Sequence, residues 1–255
     1  MSHLPGKFVW FEHVSPDIGK ARAFYEPLFD WHVESMPVGS ESYSMIMTAA
    51  NRGIGGLTRA HAGAASHWQS YLSVANVDAS HAVAIAAGAK SQMAPVDFGK
   101  VGRGAALTDP TGAAFSLWHS ADADRPDAEQ TPLGEWYWNE LWTPDAKTAL
   151  AFYERVFGYV HDAMDMGPHG TYYVLKSPDG KARGGLMQSH DPKARTMWLP
   201  YVGVADCDAS AAKAGRLGAQ VVVAPTDIPG VGRFAVLVDP LGAAVAVIKG
   251  APSAA

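Results

Sequence analysis

Two matching aromatic and carboxylate pairs are the residues best placed to do chemistry in this sequence. Glu12 follows Trp10 by two positions, and Glu140 follows Trp138 by two positions. Because side chains alternate along a β-strand, each pair shares one face of its strand. A carboxylate beside an indole in a water-poor cleft has a raised pKa and can act as general acid or base, or accept a hydrogen bond from a ligand. The residues leave open the alternative that each glutamate bonds only a neighbouring strand or a buried water.

A polar row lies on a predicted strand near residues 67–75. His67, Gln69 and Tyr71 alternate onto one face of that strand, and Ser116 on the last predicted strand of the same half can add a hydroxyl. In the second half the row is replaced by Met197, Leu199 and Tyr201. The asymmetry predicts that the first half holds the better ligand cleft.

Arginines stand at matching turns of the two halves. Arg103 and Arg233 each end a Val-Gly-Arg sequence. A guanidinium there can hold an anionic ligand. The favoured alternative is a solvated charge or an ion pair with Asp97 or Asp227.

The chain contains an internal duplication with a period near 129 residues. A shift of 128 places Trp10 on Trp138 and Glu12 on Glu140, and a shift of 130 places Trp68 on Trp198. This period is too long for one solenoid unit and predicts two whole domains, over residues 6–119 and 134–249. The polar, proline-containing segment 120–132 is predicted to be the linker.

Each repeat alternates one helix with several short strands. In the first repeat, strands are expected near 8–14, 31–36, 42–49 and 53–59, with a helix over 18–29 that Asp17 caps. A second round follows, with a helix over 78–87 and strands near 67–75, 90–98, 102–108 and 113–119. Each domain is therefore two βαβββ modules. The fold class is α+β, a curved mixed and largely antiparallel sheet around a cleft, with the helices outside.

Ordered motifs in both repeats give this pattern a family resemblance. The first repeat carries Ser15-Pro16-Asp17, Ala23-Phe24-Tyr25, Gly-Gly-Leu at 55–57 and Asp109-Pro110-Thr111-Gly112. The second carries Thr143-Pro144-Asp145, Phe152-Tyr153, Phe157-Gly158, Gly184-Gly185-Leu186 and Asp239-Pro240-Leu241-Gly242. Together they resemble the vicinal oxygen chelate superfamily, which includes glyoxalase I, bleomycin and fosfomycin resistance proteins and extradiol dioxygenases. The resemblance covers about nine tenths of the chain and specifies the fold, although one fold hosts many reactions.

The resemblance also implies where a metal would be held. Members that bind metal place ligands on the first strand, on the first strand of the second module and on the last strand. Here those positions are Trp10, Gln69 and Ser116, then Trp138, Leu199 and Ala246. A catalytic divalent ion needs about three anionic or imidazole ligands, so we expect no metal and no cofactor. In the first repeat, Glu12 with the neutral oxygens of Gln69 and Ser116 leaves a weaker alternative open.

The amino-acid composition limits the kinds of binding partner that we expect. The chain has 255 residues, 48% of them hydrophobic, and a net charge of −5. It lacks the clustered positive charge that nucleic acids demand, and no run of residues is apolar enough for a membrane span. Its single cysteine, Cys207, and an N-terminus unlike a signal peptide predict a cytoplasmic protein. Four βαβββ modules in one chain fit a monomer, and a homodimer stays possible.

Three functions stay open at this point. The first is a protein resembling bleomycin-resistance modules that binds a small, aromatic or polar molecule in a metal-free cleft. The second is a metal-dependent lyase or dioxygenase, as other members of the superfamily imply. The third is a metal-free lyase or isomerase that uses Glu12 or Glu140 as acid or base. The sequence does not decide whether the protein is an enzyme.

Overall fold

A computed structural model describes residues 3–38, 41–61, 63–189, 191 and 195–251. Within these ranges, the first repeat contains β1 (Phe8–Ser15), α1 (Ile18–Phe29), β2 (His32–Val38), β3 (Glu41–Met47), β4 (Gly53–Arg59), β5 (His67–Ser73), α2 (Val77–Ala86), β6 (Lys90–Asp97), β7 (Gly102–Thr108) and β8 (Ala114–Ser120). The second contains β9 (Trp136–Thr143), α3 (Ala146–Phe157), β10 (Val160–Asp165), a short 3-10 turn (Gly167–His169), β11 (Thr171–Lys176), β12 (Ala182–Gln188), β13 (Met197–Gly203), α4 (Cys207–Arg216), β14 (Gln220–Ile228), β15 (Gly232–Val238) and β16 (Ala244–Gly250).

The strands form two eight-stranded mixed sheets, which confirms the predicted α+β class. The strand order is β2-β3-β4-β1-β5-β8-β7-β6 in the first sheet and β10-β11-β12-β9-β13-β16-β15-β14 in the second. β1 pairs with β4 and β5 with β8 in parallel, whereas β2-β3, β3-β4, β6-β7 and β7-β8 are antiparallel. None of the helices in the described part of the chain is long and apolar enough to cross a membrane.

Helix boundaries follow local capping chemistry. The predicted cap of α1 is confirmed, because the Asp17 side chain accepts a hydrogen bond from the backbone N–H of Lys20. α2 begins one residue earlier than predicted, at Val77 rather than Asp78, since the side chain of Asn76 caps it by accepting from the N–H of Ala79. The Asp78 carboxylate bonds Arg103 instead.

The chain forms two compact units that each combine parts of both repeats. Unit 1 contains Met1–Trp10, Gln69–Asp127 and Trp138–Trp198, and unit 2 contains Phe11–Trp68, Ala128–Tyr137 and Leu199–Ala255. The domain boundaries 6–119 and 134–249 stay a prediction from the duplication.

The core of unit 2 is organised around a buried polar chain. The indole N–H of Trp68 donates to the hydroxyl of Tyr25 at 3.0 Å, and that hydroxyl donates to Asp239 Oδ2 at 2.8 Å. His13 Nε2 lies 2.7 Å from the same oxygen. The other oxygen, Oδ1, accepts from the N–H groups of Leu241 and Ala243, so the aspartate of the Asp-Pro turn both closes the turn and anchors the core.

Unit 1 repeats this arrangement without the histidine. Trp198 donates to Tyr153 at 2.8 Å and Tyr153 donates to Asp109 at 3.0 Å. Leu141 stands where the first repeat has His13, and it is fully buried. Burial raises the pKa of Asp109, and burial alone would do the same for Asp239. Hydrogen bonding and charge from His13 outweigh burial there, so the pKa of Asp239 is lowered.

The segment predicted as a linker is held by two aspartates in unit 1. Asp124 is buried and accepts hydrogen bonds from the N–H of Leu4 and the hydroxyl of Ser73. Asp127 forms ion pairs with Lys7 at 3.1 Å, Lys181 at 2.9 Å and Arg183 at 2.8 Å.

Candidate functional site

The second repeat places a glutamate among aromatic donors in unit 1. Strand β9 carries Trp138, Glu140 and Trp142 at alternate positions, and Glu140 is only 6% exposed. The indole N–H of Trp142 donates to Glu140 Oε1. The hydroxyl of Tyr172, on β11, also bonds Glu140, and it accepts a hydrogen bond of 2.8 Å from the indole of Trp138. The predicted pair Trp138 and Glu140 is therefore connected, and Tyr172 is the link.

The electrostatics of this cluster hold Tyr172 as a neutral donor. Burial raises the pKa of Tyr172 well above its ordinary value, and the charge of Glu140 raises it further. A phenol that does not ionise keeps its own proton, so Tyr172 donates a hydrogen bond to the carboxylate across the working pH range of proteins. The cluster therefore presents Glu140 as a hydrogen-bond acceptor with two fixed donors.

Unit 2 contains the corresponding glutamate and tyrosine from the first repeat. The hydroxyl of Tyr43, on β3, donates to Glu12 Oε1 at 2.6 Å, and both side chains are partly buried. A shift of 129 places Tyr43 on Tyr172, so the duplication links the two tyrosines. Sequence reasoning missed both, although this alignment of the repeats carried the signal.

Gln69 of the predicted polar row meets Ser116 in unit 1. Gln69 Nε2 donates to Ser116 Oγ at 3.0 Å, and both side chains are buried. Tyr71 lies opposite Ser116 in the β5-β8 ladder, and its ring packs edge-on against Trp118. His67 Nδ1 lies 3.0 Å from the backbone oxygen of Ala65.

The remaining predicted site residues are divided between the two units. Trp10 is partly buried and belongs to unit 1, whereas Glu12 belongs to unit 2. Tyr201, in unit 2, is buried and packs against Phe234 with ring centres 6.2 Å apart. Their ligand contacts stay predictions.

Both turn arginines form ion pairs. Arg103 bonds both oxygens of Asp78 at 2.8 Å and pairs with Asp97 at 2.8 Å. Arg233 bonds both oxygens of Asp208, at 2.7 and 2.9 Å, and pairs with Asp227 at 3.1 Å. The pairs with Asp97 and Asp227 were expected, whereas the bidentate partners at the starts of α2 and α4 were not. Hydrogen bonding to the arginines lowers the pKa of Asp78 and Asp208.

The donors at the expected metal positions do not suit a divalent cation. In the second repeat, Trp138, Leu199 and Ala246 offer no ligating oxygen, sulfur or imidazole nitrogen. In the first repeat, Gln69 and Ser116 are neutral and bonded to each other. Over the described ranges, no group of three or more His, Cys, Asp or Glu side chains is arranged to hold a metal ion.

The fold and the ordered motifs define a member of the vicinal oxygen chelate superfamily. A Mn(II)-bound glyoxalase from Novosphingobium aromaticivorans matches with a TM-score of 0.65 and 18% identity, covering 98% of this chain and 83% of that chain. An extradiol ring-cleaving dioxygenase from B. fuscum matches with a TM-score of 0.68 and 15% identity, covering 99% of this chain and 74% of that chain. At these identities the likeness establishes the fold alone.

Sequence comparison places the chain more narrowly. Residues 139–248 match the model of the glyoxalase-like domain. The "Putative glyoxylase CFP32" of Mycobacterium bovis is 39% identical over 249 residues, 95% of this chain and 94% of that protein. The "Anthracycline biosynthesis protein DnrV" of Streptomyces peucetius is 31% identical over 271 residues, 98% of this chain and 97% of that protein. The chain belongs to the glyoxalase-like family.

Proposed function

We propose that the protein binds a small aromatic or polar molecule, without a metal ion, at the face that carries Trp138, Tyr172 and Glu140. The observation that carries this proposal is the buried carboxylate of Glu140, which two neutral aromatic donors hold in place. A carboxylate can accept about four hydrogen bonds, so a ligand hydroxyl or amine is a suitable further donor. Trp138 occupies the position of a superfamily metal ligand and supplies a flat apolar surface instead.

The relatives support an aromatic ligand. One of them, DnrV, is named for anthracycline biosynthesis, and anthracyclines are compounds with fused aromatic rings. A flat ring beside an indole gains contact area and favourable ring packing, and a phenolic or amino group can bond the glutamate. The matching Glu12 and Tyr43 pair supports a second site of the same chemistry in unit 2.

A metal-free isomerase or lyase is the second candidate function. The hydroxyl of Tyr43 lies 2.6 Å from Glu12, within the range of proton transfer between positioned groups. In this role the glutamate takes a proton from one carbon of the bound molecule and returns it to another carbon in an isomerisation or to the departing group in an elimination, and the tyrosine keeps the carboxylate oriented. Both candidate functions use the same residues, so loss of ligand binding in a variant does not distinguish them. Chemical conversion of a bound compound would distinguish the enzyme from the binding protein.

The test is a ligand titration in the presence of a metal chelator. Tryptophan fluorescence is followed while a hydroxylated anthraquinone is added to the wild-type protein in EDTA. We expect saturable quenching that survives chelation and weakens in Glu140→Gln or Trp138→Leu, while Glu129→Gln, an exposed control, leaves it unchanged. Comparing Glu12→Gln with Glu140→Gln tests the expectation that the first cleft binds better. Quenching that requires added Zn, Ni, Mn or Fe would overturn the proposal.

A further inference from the structure

We infer that Gly185 and Gly56 are positioning residues: each leaves the space through which a tyrosine hydroxyl crosses its strand to reach a glutamate. The inference concerns the geometry of both Glu-Tyr pairs. Its bearing on ligand binding rests on the proposed function.

The strand register sets each glycine beside the glutamate. In the parallel ladders, Gly185 of β12 lies opposite Glu140 of β9, and Gly56 of β4 lies opposite Glu12 of β1. The tyrosines come from the next strand outward, since β11 pairs with β12 and β3 pairs with β4. Each phenol must therefore pass over the intervening strand at the position of the glycine.

The space over each glycine is filled by the phenol. A Cβ added to Gly185 would lie 1.9 Å from Tyr172 Oη and 2.5 Å from Cζ, and 2.9 Å from the indole nitrogen of Trp138. A Cβ added to Gly56 would lie 2.0 Å from Tyr43 Oη and 2.4 Å from Cζ. Contacts this short force the phenol away from its glutamate. Alanine is therefore incompatible with both hydrogen-bonded pairs.

Backbone conformation does not explain these two glycines. Neither Gly56 nor Gly185 has a positive φ, so an L-residue can adopt either backbone geometry. The preceding glycines have another role: a Cβ on Gly55 would lie 2.3 Å from the carbonyl oxygen of Phe11, and one on Gly184 would lie 2.9 Å from that of Asn139. In each Gly-Gly-Leu motif, the first glycine permits close strand approach and the second makes room for tyrosine.

The experiment is a double-mutant cycle read by unfolding and by NMR of the indole N–H groups. Gly185→Ala displaces Tyr172 and shifts the indole N–H resonances of Trp138 and Trp142. In the Tyr172→Ala background the same change has no phenol to displace, so its effect on stability largely disappears. Gly56→Ala is the matched control, because it should leave the Trp138 and Trp142 resonances at their wild-type positions.

Each outcome of the cycle decides the inference. An equal stability effect of Gly185→Ala in both backgrounds overturns it, as do unchanged indole resonances. If Gly185→Ala alone fails to fold, the double variant Gly185→Ala with Tyr172→Ala decides the matter. A folded double variant supports the inference, and an unfolded double variant refutes it. Affinity for the hydroxylated anthraquinone should fall about tenfold in Gly185→Ala. Unchanged affinity with shifted resonances contradicts the proposed function while leaving the positioning role intact.

Discussion

The hydroxyl of Tyr25 donates a hydrogen bond of 2.8 Å to Asp239, which lies 214 residues further along the chain. In the reciprocal pair, Tyr153 of the second repeat bonds Asp109 of the first at 3.0 Å. Each Phe-Tyr motif therefore anchors the Asp-Pro turn of the other repeat. The two repeats thus exchange these core residues, and each compact unit likewise combines parts of both repeats.

Removing either tyrosine hydroxyl should destabilise the protein measurably. Tyr25→Phe leaves a buried aspartate and the indole of Trp68 without their shared partner, and Tyr153→Phe does the same to Asp109 and Trp198. We expect each change to lower the free energy of unfolding by about 1–3 kcal/mol, measured by urea denaturation. Tyr173→Phe, which also removes a tyrosine hydroxyl but lies outside the exchanged pairs, is the control and should change the free energy of unfolding little. A loss no larger than in this control would show that the exchanged bonds contribute nothing.

Replacing His13 by leucine, its counterpart in the second repeat, should destabilise the protein in a pH-dependent way. The pKa of Asp239 is lowered, because bonding and charge from His13 outweigh burial, so this stabilisation is present above the ordinary aspartate range and is lost in acid. We expect a loss of up to about 3 kcal/mol at neutral pH. In His13→Leu the pKa of Asp239 should rise, as burial raises that of Asp109. Urea denaturation should therefore show a smaller difference in the free energy of unfolding between wild type and His13→Leu near pH 4 than at neutral pH. An equal difference at both pH values would contradict this.

Asp127→Asn should loosen the segment that joins the repeats. Arg183, whose side chain is 5% exposed, loses its 2.8 Å partner, and Lys7 and Lys181 lose theirs. Although burial opposes ionisation, hydrogen bonds from these cations lower the pKa of Asp127. Its contribution to the free energy of unfolding is therefore present at neutral pH and is lost progressively as the pH falls from the usual aspartate range to well below it.

The expected loss for Asp127→Asn is about 1–3 kcal/mol at pH 7, from chemical denaturation. The control is Asp179→Asn, because Asp179 is more exposed and lies 3.8 Å from Arg183. An equal loss in the free energy of unfolding in the two variants would show that Asp127 has no special role in holding this segment.

Cys207 should be inert in the native protein. Burial raises the pKa of this thiol to about 11, so little thiolate forms near neutral pH. Ellman's reagent should fail to label the native chain at about pH 8 and should label one thiol after denaturation. Cys207→Val, which copies Val77 of the first repeat, should keep native stability. Rapid native labelling would show that the helix α4 start opens readily.

The sequence predicted local features well because these depend on neighbouring residues. Asp17 caps α1 as expected, whereas Trp138 and Glu140 are joined through Tyr172, which sequence reasoning missed. Contacts between residues distant in sequence were harder to predict. Arg103 bonds Asp78 across 25 residues, and only the folded chain brings the two together. Tyr43 and Tyr172 were missed because no local pattern marks a tyrosine that crosses a strand. The exchange of Tyr25 and Tyr153 between repeats depends on packing that no motif specifies.

The exchanged tyrosines bear on how such a chain could have arisen. A polypeptide made of one repeat would have a tyrosine on its helix and an aspartate at its turn, but neither could satisfy the other within that molecule. Two copies would have to trade them. In the duplicated chain both partners belong to one polypeptide, and the two repeats differ in detail, as Leu141 opposite His13 illustrates.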